Sequence, residues 1–139
     1  MTPSLLYRIA AVLLVLYAAG HTFGFQHVDP RWGVDALVNG LRTTGFTVQG
    51  RKERTYWGFI LGFGYFCTVL MLFCALLAWQ LGGLPQATLA TIPVIAWGFA
   101  TAFAAATAVT IRYFFAAPVV FSSLITICLV LAAWLVRAA

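Results

Sequence analysis

The chain has 139 residues, of which 63% are hydrophobic and only 8% charged, against roughly 25% charged in a soluble domain; this excludes a water-soluble globule and makes lipid the solvent for most of the surface. At about 20 residues per span, four spans and one sizeable loop use up the length and leave no room for a separate soluble domain. The formal charge of +5 is carried mainly by Arg31, Arg42, Arg51, Lys52 and Arg54, crowded into one loop between apolar runs, which suits anionic lipid head groups and excludes nucleic acid as a partner.

The first span is expected from about Ser4 to Phe25, with Thr2 as N-cap and Pro3 as first helical residue. Its first 20 residues also carry the outline of a secretory signal, Arg8 before the run IAAVLLVLY and Ala18, Ala19 and Gly20 after it. They are read as a retained span. The only substantial polar segment follows, residues 26–54. Within it Asp29 and Pro30 form a helix start, and Val34, Leu37, Val38 and Leu41 recur at helical spacing. Residues 30–42 are therefore expected to form a short amphipathic helix at the membrane surface. The stretch TTGFTVQG after it is too short for a sheet and is read as an ordered loop.

The second span, about 55–80, has Tyr56 and Trp57 at one end and Trp79 at the other, the placement of an aromatic belt. Gly82, Gly83 and Pro85 force a tight turn. The third span, about 86–111, contains Pro93 as a kink, and the fourth runs from Pro118 to about Val136, with Arg137 at its end. The expected fold is thus a single all-α integral membrane domain, a bundle of four transmembrane helices with one interfacial helix between spans one and two. Small residues fill the third span, with Gly98 and Ala102 four apart and Ala105 and Ala106 beyond. Such residues let helices approach closely, so this span is expected to be the most enclosed, or else to offer a dimerisation face.

The connections after spans one and three share one side and carry Arg112 besides the five basic residues named above. The other side has only Arg8 and Arg137. A multi-pass protein of a bacterial inner (plasma) membrane with both termini extracytoplasmic is the expectation.

All three carboxylates, Asp29, Asp35 and Glu53, and both histidines, His21 and His27, lie between the end of span one and the start of span two. Alternation of the spans returns Arg112 and Tyr113 to the same face, where these groups form a polar mouth. His21 stands one turn inside the first span, an ionisable group that is costly there and so a functional candidate, and it shares a helix face with Tyr17. Expected partners are Glu53, Arg54 and Tyr56 on span two, Thr110, Arg112 and Tyr113 on span three, and Ser122 or Thr126 on span four. A neutral imidazole bonded to a neighbouring helix is the plainer reading. Cys67, Cys74 and Cys128 stand in apolar runs without metal-ligand spacing, so neither a metal nor any other cofactor is expected.

No Asp or Glu lies within a span, which argues against proton- or cation-coupled transport and separates the chain from the small multidrug exporters, with their acidic first helix. On a helix, Gly58, Gly62 and Tyr65 share one face, with Trp57, Phe59 and Phe63 around it. That arrangement suits a slot for a flat or isoprenoid ligand, or close packing of helices.

The stretch G-R-K-E-R-T-Y-W-G-F-I-L-G-F-G at 50–64, with A-G-H-T-F-G at 19–24, resembles a family of small four-span bacterial membrane proteins without an assigned activity. Its signature is Arg-Thr/Ser-Tyr-Trp-x-Phe followed by Gly-Phe-Gly at the start of the second span. The resemblance covers roughly residues 15–80 and implies the four-span fold. An acidic residue often follows the Trp in that family; here Gly58 does, so no carboxylate role carries over.

The leading functional expectation is a protein that binds membrane lipids or a hydrophobic small molecule, or packs as an accessory subunit or homo-oligomer. Its candidate ligand-binding residues are His21, Tyr17, Glu53, Arg54, Trp57, Gly58, Gly62, Tyr65, Arg112 and Tyr113. The alternative is a membrane-embedded enzyme on an amphiphilic substrate, with His21 as acid or base and Arg54 or Arg112 on an anionic head group. One version resembles the four-span glutathione-using enzymes, although their Asn and Glu in the second helix have no counterpart after Arg54, where Tyr56, Trp57 and Gly58 stand.

Overall fold

Thr2 starts the first helix, its carbonyl accepting the Leu6 N–H and its Oγ1 the Leu5 N–H at 3.3 Å, so that Pro3 needs no donor at the first helical position. In the computed structural model, which describes residues 2–47, 49–50 and 53–137, this helix, α1, spans Pro3–Gln26. A single 3-10 turn, Pro30–Trp32, and α2, Asp35–Thr43, follow. Strands β1, Gly45–Phe46, and β2, Arg54–Thr55, pair antiparallel. Then come α3, Tyr56–Leu81, α4, Gln86–Ala90, α5, Pro93–Tyr113, and α6, Ala116–Arg137. The protein is all-α in its main elements, and α1, α3, α5 and α6 are long and apolar enough to cross a membrane.

Three boundaries differ from expectation. The helix expected at 30–42 is two pieces, because Gly33 turns left-handed (φ 65°) and ends the 3-10 turn that Asp29 caps. The TTGFTVQG segment is not only loop: Gly45 pairs with Thr55 and Phe46 with Arg54. The third span starts at Pro93, not at residue 86, since proline has no N–H to continue the α4 ladder and is placed as the first residue of a new helix. Arg51 and Lys52, expected to mark the cytoplasmic side, lie outside the described residues.

The chain divides into two compact units. The first comprises residues 1–17 and 71–139, the second residues 18–70. The core of the first is built from Leu6, Tyr7, Ala10 and Leu14 of α1, Ala78 of α3, Leu89 of α4, Ala100 of α5, and Ile125 and Leu129 of α6. Hydroxyl pairs join α5 to α6: Thr110 with Ser122 at 2.8 Å and Thr107 with Thr126 at 2.9 Å. Ser4 Oγ donates to Gly82 O, and Arg8 Nε reaches the same carbonyl at 3.5 Å while its guanidinium lies over the Trp79 ring. A side chain at position 82 would meet Arg8 Cγ at 2.9 Å and Ser4 O at 3.0 Å, so the close approach of α1 to the end of α3 requires glycine.

The expectation that the third span is the most enclosed is corrected. In α5, 22% of the apolar window is buried against 39% in α1. The residues that α5 buries are Ala96, Phe99, Ala100 and Thr110, whereas Gly98, Ala102, Ala105 and Ala106 face outward. Helical spacing gave the small-residue row correctly and its direction wrongly, because small residues lie on both faces.

Candidate functional site

The second unit gathers most of the candidate residues around the start of α3. Thr55 Oγ1 accepts the Gly58 N–H at 3.0 Å, capping the helix, and the Tyr56 N–H bonds Thr44 O. This fixes where Arg54 leaves the ribbon and where the first helical turn begins. Arg54, Gly58, Gly62 and Phe66 then follow at intervals of four, the spacing that returns to one side of a helix. With Phe59 and Phe63 they line an open groove of about 460 Å³.

The glycines give the groove its depth. A Cβ at Gly62 would meet nothing within 4 Å, and one at Gly58 only Thr55 Oγ1 at 3.2 Å. Phe59 stands edge-on to Phe63 at 4.8 Å and to Phe46 of β1 at 5.9 Å, and Phe46 packs on Tyr56 at 4.8 Å. The small ribbon therefore props the aromatic wall. Among the described residues Arg54 is the charged one in the lining, exposed, with one long contact of 3.5 Å to Glu53 O. An apolar slot with a donor-rich cation at its head matches an amphiphile with an acceptor or anionic head.

His21 is half-buried and stands away from the groove lining. Its Nε2 lies 3.2 Å from Gly64 O. A carbonyl can only accept, so Nε2 carries the proton, and in the neutral ring Nδ1 is the acceptor. The imidazole tilts on Phe25 at 5.0 Å, and Phe25 meets the edge of Tyr65 at 5.2 Å. Thr22 and Thr68 pair at 2.8 Å one turn further along. His21 is thereby held by a backbone carbonyl between α1 and α3.

The other candidates disperse. Tyr17, in the first unit, stacks on Phe121 at 5.6 Å. Trp57 receives the Arg42 guanidinium at 5.0 Å, and Tyr65 faces Phe25, so neither lines the groove with Gly58 and Gly62. The Glu53 side chain lies over Gly45, where an added Cβ would collide with its carboxylate. Arg112 and Tyr113 belong to the first unit, the guanidinium 5.4 Å from its neighbour's ring. Thr110, Ser122 and Thr126, expected as partners of His21, are paired within α5 and α6. Phe66 was missed, though it continues the row of Arg54, Gly58 and Gly62. Among the described residues no three His, Cys, Asp or Glu come together to hold a metal, and Cys67, Cys74 and Cys128 are free.

Compared with known proteins, the chain matches no protein-family model, no curated protein and no solved structure.

Proposed function

We propose that the chain is a multi-pass protein of a bacterial inner membrane that binds an amphiphilic lipid-class ligand in the groove at the start of α3. The observation that carries this is the groove itself: a glycine floor at Gly58 and Gly62, walls of Phe59, Phe63 and Phe66, and the exposed Arg54 at its head. The apolar body of the ligand lies on the rings, and its head meets the guanidinium. Burial of apolar surface provides affinity at about 25 cal/mol per Å² before the cost of ordering the ligand.

In this reading α2 lies at the membrane surface. Trp32 and Leu37, 66% and 64% exposed, are directed to lipid, and the exposed Asp35 to water. His21 is given a structural part. The test is native mass spectrometry of protein extracted in mild detergent. The wild type is expected to retain an amphiphile that Gly62→Leu releases, because leucine would occupy the slot and its Cβ meets nothing within 4 Å. Equal retention by both proteins would refute the reading.

The outward row of Gly98, Ala102 and Ala105 on α5 favours a second reading, that of an accessory subunit packed against another membrane helix. Oxidative cross-linking of Ala102→Cys, with the native cysteines replaced, would give a covalent dimer or adduct in membranes if that reading holds.

A further inference from the structure

The first unit carries a second groove, of about 540 Å³, on the other set of helices. Ala96, Ala133 and Val136, only 2%, 2% and 8% exposed, form its floor. Pro93 and Trp97 border it from α5, and Arg137 from the last turn of α6. Two features of the sequence produce it. Pro93 breaks α4 from α5, and alanines stand where larger side chains would fill the space. Its volume falls within the range of about 300–1,000 Å³ usual for small-molecule sites.

The charge pattern identifies the occupant. Arg8, Arg31, Arg42 and Arg112 each have a carbonyl, carboxylate or ring to rest on. Arg137 has no hydrogen bond or ion pair among the described residues, and no Asp or Glu side chain occurs anywhere in the first unit. The positive end of α5, which starts at Pro93 on the rim, adds charge of the same sign. Trp97 supplies an amphipathic ring of the kind that sits at lipid head-group level. An apolar trough beside an unpaired guanidinium is complementary to a molecule that is apolar along its length and anionic at its end.

We propose that this groove is a specific site for an anionic phospholipid, one acyl chain lying over Ala96 and Ala133 and the phosphate bound by Arg137. Arginine suits this task because its planar fork donates two parallel hydrogen bonds to a phosphate.

The test uses the full chain carrying Gly62→Leu, so that retention in the α3 groove does not contribute and failure of the function proposed above leaves this measurement intact. The protein is equilibrated with mixed vesicles of phosphatidylglycerol and phosphatidylcholine, extracted, and its bound lipid counted by native mass spectrometry. Preferential retention of one phosphatidylglycerol is expected. Arg137→Gln lowers it by about tenfold, the loss of a charged hydrogen bond, and Arg137→Lys restores part of it. Ala90→Phe, which fills the groove from its exposed rim, lowers retention of both lipids. Both sites are exposed, and an unchanged helical circular dichroism spectrum and elution volume show that the variants fold. Retention of phosphatidylglycerol undiminished by Arg137→Gln or by Ala90→Phe would mean ordinary lipid contact only and overturn the proposal.

Discussion

Two glycines two residues apart on α3 do opposite things. A Cβ at Gly64 would lie 2.6 Å from the Phe25 ring, which is itself packed between His21 and Tyr65, whereas one at Gly62 meets nothing within 4 Å. Gly64→Ala should therefore destabilise the protein by about 1–3 kcal/mol, the usual cost of overpacking. Gly62→Ala should be neutral or stabilise by up to about 1 kcal/mol, the helix-propensity gain. Thermal unfolding of the purified variants in one detergent checks the pair, and equal effects would contradict the packing described. Tyr7 gives a third case. Its side chain is fully buried and its hydroxyl has no hydrogen-bond partner among the described residues. An unpaired buried polar group costs about 1–3 kcal/mol, so Tyr7→Phe should raise the unfolding temperature, and a fall would reveal a partner for the hydroxyl. These residue roles were only partly legible in the sequence. The spacing of Gly58 and Gly62 gave the groove floor, but sequence grouped Tyr65 with them, because helical position alone does not show which neighbour a ring will prefer. His21 was legible as a group needing a partner, and its partner, a backbone carbonyl on another helix, has no sequence signal.

The elements were legible where one strong local force acts and hidden where two short ones compete. Long apolar runs gave α1, α3 and α6 to within about two residues, the usual uncertainty of helix ends. Pro93 was visible, but whether it kinks a helix or starts one depends on what packs around it, and Leu89, 1% exposed, anchors α4 as a separate turn. The ribbon of β1 and β2 was missed because two paired residues per strand leave no period to read. Its aromatic contacts stabilise it, Phe46 lying between Tyr56 and Phe59. The polar turn before α2 makes a prediction at this scale. The Asp29 carboxylate takes the Arg31 guanidinium at 2.5–3.0 Å and the Arg31 N–H at 2.9 Å. The guanidinium first, and the backbone N–H second, hold its carboxyl below the ordinary carboxylate value. The folded value being the lower one, the stabilising contribution is complete above the unfolded value of about 3.9 and is lost as pH falls through the folded value. Because Arg31 is exposed and Asp29 only half-buried, the effect is local. Trp32 fluorescence should change as pH is lowered beneath about 4, and Asp29→Asn should abolish that component; an unchanged titration would show that the pair does not hold the turn.

At the scale of the whole molecule, composition gave the class: four helices, with mean hydropathies between 1.6 and 2.6, are long and apolar enough to cross a membrane. Orientation rests on charge. The connection after α1 holds Arg31, Arg42, Arg51, Lys52 and Arg54, and the last turn of α5 holds Arg112, against Arg8 and Arg137 toward the chain ends. Within the first unit Arg8 is also tied to the other connection, through Gly82 O and the Trp79 ring, so it sits where α3 ends. An arginine rested on a helix C-terminus is partly compensated by the negative end of that helix, which lessens its weight in setting the orientation. The expected topology keeps the polar segment and Arg112 in the cytoplasm, with both termini and the Gly83 turn outside. Single cysteines at Thr47 and Gly83, both exposed, can be introduced with Cys67, Cys74 and Cys128 replaced. A membrane-impermeant maleimide added to intact cells should label Gly83→Cys and leave Thr47→Cys untouched until the membrane is opened. Labelling of Thr47→Cys from outside would invert the orientation and place the Arg54 groove toward the outer leaflet, where its ligand would have to be drawn from a different lipid pool.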